Sequence, residues 1–324
     1  MNTQETHAVD VSIIIVNYNT RDLLRDCLKT VFNQRSKYSY EVLVVDNASK
    51  DDSALMVRDE FEQVHLFPSV KNLGFVKANN KAMLESRGRY LLLLNPDTQV
   101  PPDTLDKLVD FIEDQAGVGI CGCKQVDAQG QIQLTWGKFP TVLSEIQRKA
   151  RHMRMDLKEQ GVRVALENNI SDQCDVDWVA GSCMLVRAEV ALQIGLMDEN
   201  IFMYFEDIDW CQRARLAGWR VCIDPRNQIV HYGGESAATD KIVSLVEYRR
   251  SQLYFLRKYR GRFFYLMTRL WIFIKALGYF GLWALRYGWY TDPDAKHEAE
   301  CMSLVYKHIT YLALTGKMPA KIER

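Results

Sequence analysis

The chain has 324 residues, 48% apolar and 25% charged, enough for one large or two ordinary domains and a full core without disulfide staples. Lys plus Arg and Asp plus Glu both number 41, so the net charge is zero and nothing global points to nucleic acid. Eight scattered cysteines with no CxxC pair argue against zinc and thioredoxin-like redox chemistry and suit a reducing cytosol; the start, MNTQETHAVD, lacks a basic-then-apolar leader pattern.

Along the chain, short apolar runs alternate with helical periods. Val11–Val16 (VSIIIV) reads as a buried strand. Thr20 stands where it can cap a helix carrying Leu23, Leu24, Cys27, Leu28, Val31 and Phe32 on one face. Glu41–Asp46 is a second strand, Asp51–Phe61 a second helix, Val64–Phe67 a third strand, Lys77–Ser86 a helix and Tyr90–Leu94 a fourth strand. Pro101-Pro102-Asp103 then opens a helix reaching about Gln115. Strands separated by helices imply crossovers, hence an α/β fold with a mostly parallel sheet. Such sheets bind ligands at the carboxyl ends of their strands. Asn17-Tyr18-Asn19, Asp46-Asn47 and Asn95-Pro96-Asp97 all fall at such ends.

Each group has two readings. Asn17-Tyr18-Asn19 either turns the chain or meets a ligand, and Asp46 either caps the next turn or accepts hydrogen bonds from a nucleoside. Asp97, directly after four leucines, is either a helix-entry turn or a holder of a divalent cation. No GxGxxG follows the first strand and no GxxxxGK[ST] occurs, so phosphate must be met by metal or side chains. In Phe202–Trp210 three acids, Glu206, Asp207 and Asp209, sit among large apolar residues. Burial would raise a carboxylate pKa and fit it for base chemistry; the alternative is an acidic first helical turn, paired with Arg213 and Arg215. His231 ends the run Gln228-Ile229-Val230 and is either structural or a metal ligand.

Composition changes near residue 240. Tyr248 to Tyr290 holds nine Lys/Arg, no acid and 15 of the 35 aromatic residues. Domains are therefore expected at 1–240, the α/β part, and at 241–324, helical, basic and aromatic. Within the second, Phe263–Leu285 contains Arg269 and Lys275, which disfavours a spanning helix and favours one lying in a membrane interface; packing on the rest of the chain or on another copy is the alternative. Leu143–Asn169 is a polar, basic insertion between the core motifs.

The series VSIIIVNYN (11–19), VVDNAS (44–49), NLGFVKANN (72–80), LLNPDT (93–98), VAGSCMLVR (179–187), MDENIFMYFEDIDWCQR (197–213) and IVHYGG (229–234) resembles family 2 glycosyltransferases of the GT-A fold, most nearly bacterial rhamnosyltransferase-like members. The resemblance covers residues 9–234. It implies a Rossmann-like mixed, mostly parallel sheet flanked by helices, and inverting transfer of a sugar from a nucleoside diphosphate donor, dTDP-rhamnose favoured, to a hydroxyl. By the same resemblance Asn17, Asn19 and Asp46 bind the nucleoside, and Asn72, Gly74, Lys77 and Asn80 contact the donor. Asp97 is the last acid of a DXD metal motif whose first acid is replaced by Asn95; His231 is a second ligand for Mg2+ or Mn2+. Asp207 is the catalytic base and Glu206 orients the acceptor. Lys77 and Arg213 are candidates to meet donor charge. Gly181 would let backbone approach substrate, and Trp178 offers a flat face for a sugar ring. The implied acceptor is a glycan or polyprenyl-diphosphate-linked sugar at the cytoplasmic face of the inner membrane, as in cell-surface polysaccharide or O-antigen synthesis. A UDP-sugar donor, or a non-catalytic sugar-nucleotide-binding scaffold, is the rival reading.

Overall fold

The computed structural model describes residues 9–141, 175–233 and 241–318, so the insertion at 143–169 lies outside the described residues. The chain forms two units: Met1–Asn200 with Glu206–Ser236, and Ile201–Phe205 with Ala237–Arg324.

In the first unit, β1 (Val9–Asn17), α1 (Arg21–Phe32), β2 (Tyr40–Asp46), α2 (Ser53–Glu60), β3 (Val64–Pro68), α3 (Gly74–Glu85) and β4 (Gly88–Leu94) follow the expected alternation. There follow β5 (Thr98–Gln99), α4 (Thr104–Asp114), β6 (Val118–Val126), β7 (Ile132–Gln133), β8 (Trp136–Gly137), β9 (Trp178–Val179), β10 (Cys183–Arg187), α5 (Ala188–Ile194), α6 (Glu206–Leu216) and β11 (Arg220–His231). The main sheet runs β3-β2-β1-β4-β10-β6-β11-β5, with β7 on β6. From β3 to β4 neighbours are parallel, as are β6 and β11; β10 runs antiparallel between β4 and β6. This is the mixed α/β sheet of the GT-A type.

Apolar residues fill both faces of the central strands, which explains their unbroken runs. Val11, Ile13 and Ile15 face a core shared with Leu24, Leu28 and Val31 of α1 and with Leu105, Leu108 and Ile112 of α4. Ile14, Leu43 and Leu93, which alternate with that set, are also buried.

A polar knot ties the amino end of the sheet. Register sets Ser12 beside Glu41. Ser12 Oγ donates to Glu41 Oε1 at 2.6 Å, and Arg87 donates to the same carboxylate from its backbone N–H at 2.7 Å and from Nη2 at 2.7 Å. Gly88 N–H donates to Ser12 Oγ at 2.8 Å, and a Cβ at Gly88 would lie 2.4 Å from Ser12 N, so only glycine fits.

The second unit contains α7 (Lys241–Tyr259), α8 (Gly261–Trp289) and α9 (Pro293–Thr315). Val246, Leu253, Ile272, Ala276, Val305, Ile309 and Leu312 form its core. Asp292 caps α9 by accepting from Ala295 N–H at 2.9 Å, and Gly316, at φ 74°, closes it. The pentapeptide before Glu206 belongs to this unit: Phe205 packs on Tyr248 and Phe255, with ring centroids 5.3 and 5.8 Å away.

Burial pushes the Glu41 carboxyl up, but bonds from Ser12 and Arg87 and the Arg87 charge outweigh it, and its pKa falls below the ordinary value. A carboxyl depressed on folding stabilises above its unfolded pKa and loses that contribution as pH falls through the folded one. Glu41→Gln should therefore lower the unfolding free energy at neutral pH by about 2–3 kcal/mol. Urea melts should also show its deficit shrinking below about pH 4.5, where wild type loses the same contribution.

Candidate active site

The parallel register sets Asn17 at the end of β1 beside Asp46 at the end of β2. Asn17 Nδ2 donates to Asp46 Oδ1 and to Ser49 Oγ, both at 3.1 Å, and Asp46 Oδ2 accepts from Ser49 N–H at 3.2 Å. Thr20 holds the N-cap position of α1 without capping it: its hydroxyl donates to Asn17 Oδ1 at 2.7 Å, which corrects the expected capping role. Asn19 adopts φ 53° and its Oδ1 accepts from Lys50 N–H at 2.7 Å. The turn-forming reading describes this arrangement, in which the strand-end amides are held by neighbouring groups. Asn47 extends it: its Oδ1 accepts from Leu73 N–H at 2.7 Å and its Nδ2 donates to Asn72 Oδ1 at 2.9 Å. Asn72 Oδ1 also accepts from Gly74 N–H at 2.8 Å, and Gly74, at φ 79°, opens α3 ahead of the expected Lys77. The sequence marked Asn47 only as a polar strand end.

The next strand end carries Asn95 and Asp97, and the paired end of β11 carries His231. His231 Nε2 lies 3.3 Å from Asp97 Oδ1 and 3.3 Å from Asn95 Nδ2. Gln133 Oε1 sits 3.0 Å from His231 Nδ1, and Gln133 Nε2 donates to the His231 carbonyl at 2.8 Å. With Nδ1 donating to Gln133, Nε2 presents its lone pair toward the Asp97 carboxylate. Two electron-rich atoms converging in a nearly buried position fit a cation. Among the described residues no three His, Cys, Asp or Glu side chains gather in this way, so a cation here would take its remaining ligands from elsewhere. Gln133, on a two-residue strand, gave no sequence signal.

The third component is the start of α6. Because β10 runs antiparallel, its entry, Gly181-Ser182, lies at the carboxyl edge beside Leu94 of β4. Gly181 N–H donates to Asp207 Oδ2 at 3.3 Å, and Ile208 N–H donates to Asp207 Oδ1 at 2.7 Å. A Cβ on Gly181 would touch Phe75 at 3.6 Å and Asp207 at 3.9 Å, ordinary contacts. Burial raises the Asp207 pKa to about 6 against the opposing pull of those N–H groups. Glu206 is the more deeply buried of the two acids. Burial and the adjacent Asp207 charge hold its pKa well above the ordinary value, and its Oε2 has no hydrogen-bond partner. Directly upstream, Tyr204 and Phe205 adopt φ 63° and 67°, the left-handed region that large side chains avoid.

Two expected donor contacts are diverted. Arg213 donates to Asp209 Oδ2 at 2.9 Å and to the carbonyls of Ile194 at 2.7 Å and Leu196 at 2.7 Å, so its guanidinium is spent on the fold. Asn80 Nδ2 donates to the Met197 carbonyl at 2.9 Å while its Oδ1 accepts from Met197 N–H at 3.0 Å, a clamp that consumes the amide. Arg213 thus follows its ion-pair reading, and the Asn80 amide also lies 3.4 Å from Glu199 Oε1. Lys77 is half exposed, with Glu199 as a loose partner at 3.9 Å. Trp178, on β9, donates from Nε1 to the Lys138 carbonyl at 3.0 Å, which fixes the plane of its half-buried ring.

Residues 12–180 match the sequence profile of the family described as glycosyl transferase family 2. The chain belongs to that family. As a family 2 glycosyltransferase it is similar to two curated bacterial proteins. One is the N-acetylglucosaminyl-diphospho-decaprenol L-rhamnosyltransferase of Mycobacterium tuberculosis, 26% identical over 66% of this chain and 74% of the relative. The other is rhamnosyltransferase WbbL of Escherichia coli, 31% identical over 68% of this chain and 83% of the relative. Its fold is similar to that of the mannosyltransferase PcManGT from Pyrobaculum calidifontis, solved in complex with GDP-Man and Mn2+. There the TM-score is 0.56 at 17% identity, over 98% of this chain and 78% of that one.

The raised pKa of Asp207 has a stability consequence. An acid whose pKa rises on folding stabilises fully below its unfolded value, 3.8, and loses that contribution as pH climbs through about 6. Asp207→Asn cannot ionise, so its stability advantage over wild type should open across that window. The gap should be on the order of 2 kcal/mol by pH 7.5, read from denaturant melts.

Proposed function

We propose that this glycosyltransferase is an inverting rhamnosyltransferase that moves rhamnose from dTDP-rhamnose to a hydroxyl of a polyprenyl-diphosphate-linked glycan in bacterial cell-surface polysaccharide synthesis. The observation that carries the mechanism is Asp207: a carboxylate raised to about 6, gripped through both oxygens by backbone N–H groups, at the edge where the strand ends meet. The choice of sugar and lipid carrier is supported by the relatives, one an L-rhamnosyltransferase named for a decaprenol diphosphate acceptor and one a rhamnosyltransferase.

In this reading Asp46, Asn17 and Asn19 line the nucleoside subsite, with Asn47 and Asn72 shaping its wall and Lys77 reaching toward the diphosphate. The acceptor hydroxyl attacks the anomeric carbon as its proton passes to Asp207, and the bond to the nucleoside diphosphate breaks on the opposite side. Glu206, its carboxyl held well above the ordinary value by burial and the Asp207 charge, is placed to orient the acceptor, while Trp178 presents its ring to a sugar face. Asp97 and His231, with donor oxygens, would hold Mg2+ or Mn2+, which supplies Lewis-acid stabilisation of the leaving diphosphate. Support for manganese is its presence with the mannosyltransferase of the same fold.

The test is a radiolabelled transfer assay with the full chain, a polyprenyl-diphosphate-linked acceptor and a donor panel. Transfer from dTDP-rhamnose is expected; transfer from UDP-sugars alone would overturn the donor assignment. Asp207→Asn should lower kcat by roughly 10²–10⁴-fold with donor KM nearly unchanged. In the wild type kcat/KM should rise as pH climbs through about 6, because only the ionised carboxylate accepts the proton. His231→Ala should raise the Mn2+ concentration needed for half-maximal rate at least tenfold, in line with loss of one ligand.

A further inference from the structure

We infer that α8 lies along an anionic bilayer surface without crossing it, its interior cations already engaged by the second unit itself. The inference deepens the lipid-linked-acceptor reading by naming the surface on which such an acceptor is met.

Among the described residues α8 is the most exposed apolar element. Phe263, Met267, Leu270, Ile274, Leu277 and Leu285 are all exposed and recur at three- and four-residue steps, or multiples of them, which draws one stripe along the helix. Ile272 and Ala276, buried in the unit's own core, fall on the opposite side at about 100° per residue. The helix therefore keeps one face for its own unit and leaves a second, apolar face open.

Charge identifies what covers that face. Tyr248 to Tyr290 contains no acid, and Arg262 and Arg286 flank the stripe. Of the two cations between them, Arg269 donates through Nε and Nη2 to the carbonyls of Ala313 and Leu314. These are carbonyls of the last turn of α9, which lack intrahelical partners and carry the negative end of the helix dipole. Lys275 lies over the rings of Trp271 and Tyr279, 5.1 and 5.5 Å from their centroids. Arg269 thus brings its own counter-charge and Lys275 its own aromatic cover. The flanking cations complement anionic head groups, and the apolar stripe suits the interfacial depth below them.

The α9 helix decides between lying on the bilayer and crossing it. From Arg262 to Arg286 α8 is about 36 Å long, enough for a hydrocarbon core of about 30 Å. But α9 runs back along α8: Arg269 meets Ala313, Tyr279 stacks on Tyr306 at 4.9 Å, and Lys296 lies over Tyr287 at 4.9 Å. The exposed acids Asp294, Glu298 and Glu300 consequently accompany the last turns of α8. A crossing helix would draw them into hydrocarbon, where charge is costly. A helix lying flat leaves them in water.

The test is co-sedimentation of the full chain with phosphatidylglycerol-containing vesicles and with phosphatidylcholine vesicles, in the absence of sugar nucleotide and acceptor. The expected result is binding to the anionic vesicles, weakened but not abolished by high salt and released by alkaline carbonate. Leu270→Glu and Ile274→Glu, both at exposed positions, should each weaken binding at least tenfold with unchanged melting temperature. Release only by detergent would overturn the flat placement. Binding by the two variants equal to wild type would remove the stripe from the interaction. No vesicle binding, with a dimer that dissociates in the variants, would give the face to a second copy. Because the assay contains no donor, its failure leaves the transferase reading standing, and failure of sugar transfer leaves the vesicle result intact.

Discussion

The parallel register of β1 with β2 and β4 is the constraint on which the rest of this molecule depends. It sets Asn17 opposite Asp46 and Ile15 opposite Leu94, so three strand ends finish at one edge and turn polar together. Backbone N–H and C=O groups leaving a sheet need partners, and short amide and carboxylate side chains supply them. The Asn17–Asp46–Ser49 and Asn47–Asn72–Gly74 networks meet that need within the fold itself. The antiparallel β10 completes the edge, because a strand running the other way begins where its neighbours end and so delivers Gly181 to Asp207.

Stability and chemistry are divided between the two edges of the sheet. At the amino edge Glu41 is satisfied on every side and its charge is favoured by folding. At the carboxyl edge Glu206 and Asp207 are both disfavoured as anions, one carboxylate oxygen has no partner, and two bulky residues just upstream hold left-handed backbone. These are unfavourable local features that persist only because a large core surrounds them. Burial of this kind brings a carboxyl toward neutrality, which an exposed Asp does not reach.

The second unit solves a different problem. Cations on a helix rich in Trp, Phe and Leu would ordinarily limit where that helix can lie. Arg269 instead serves as the cap of α9, and Lys275 folds onto aromatic rings, so neither is exposed as a bare charge. One helix hairpin thereby combines an apolar face with a polar, acid-bearing return limb.

By itself the sequence determined the alternating strands and helices, the polar strand ends, the acidic opening of α6 and the family. All of these are encoded in residues close along the chain: apolar period, capping chemistry and short motifs. Only the tertiary structure decided which polar groups remain available to a substrate. Gln133 orients His231 from 98 positions away, Asn80 is consumed by Met197 from 117, and Asn95 meets His231 from 136. A side chain bonds to whatever the fold brings within about 3 Å. That choice depends on strand order and on the reversed direction of β10, which no local pattern specifies.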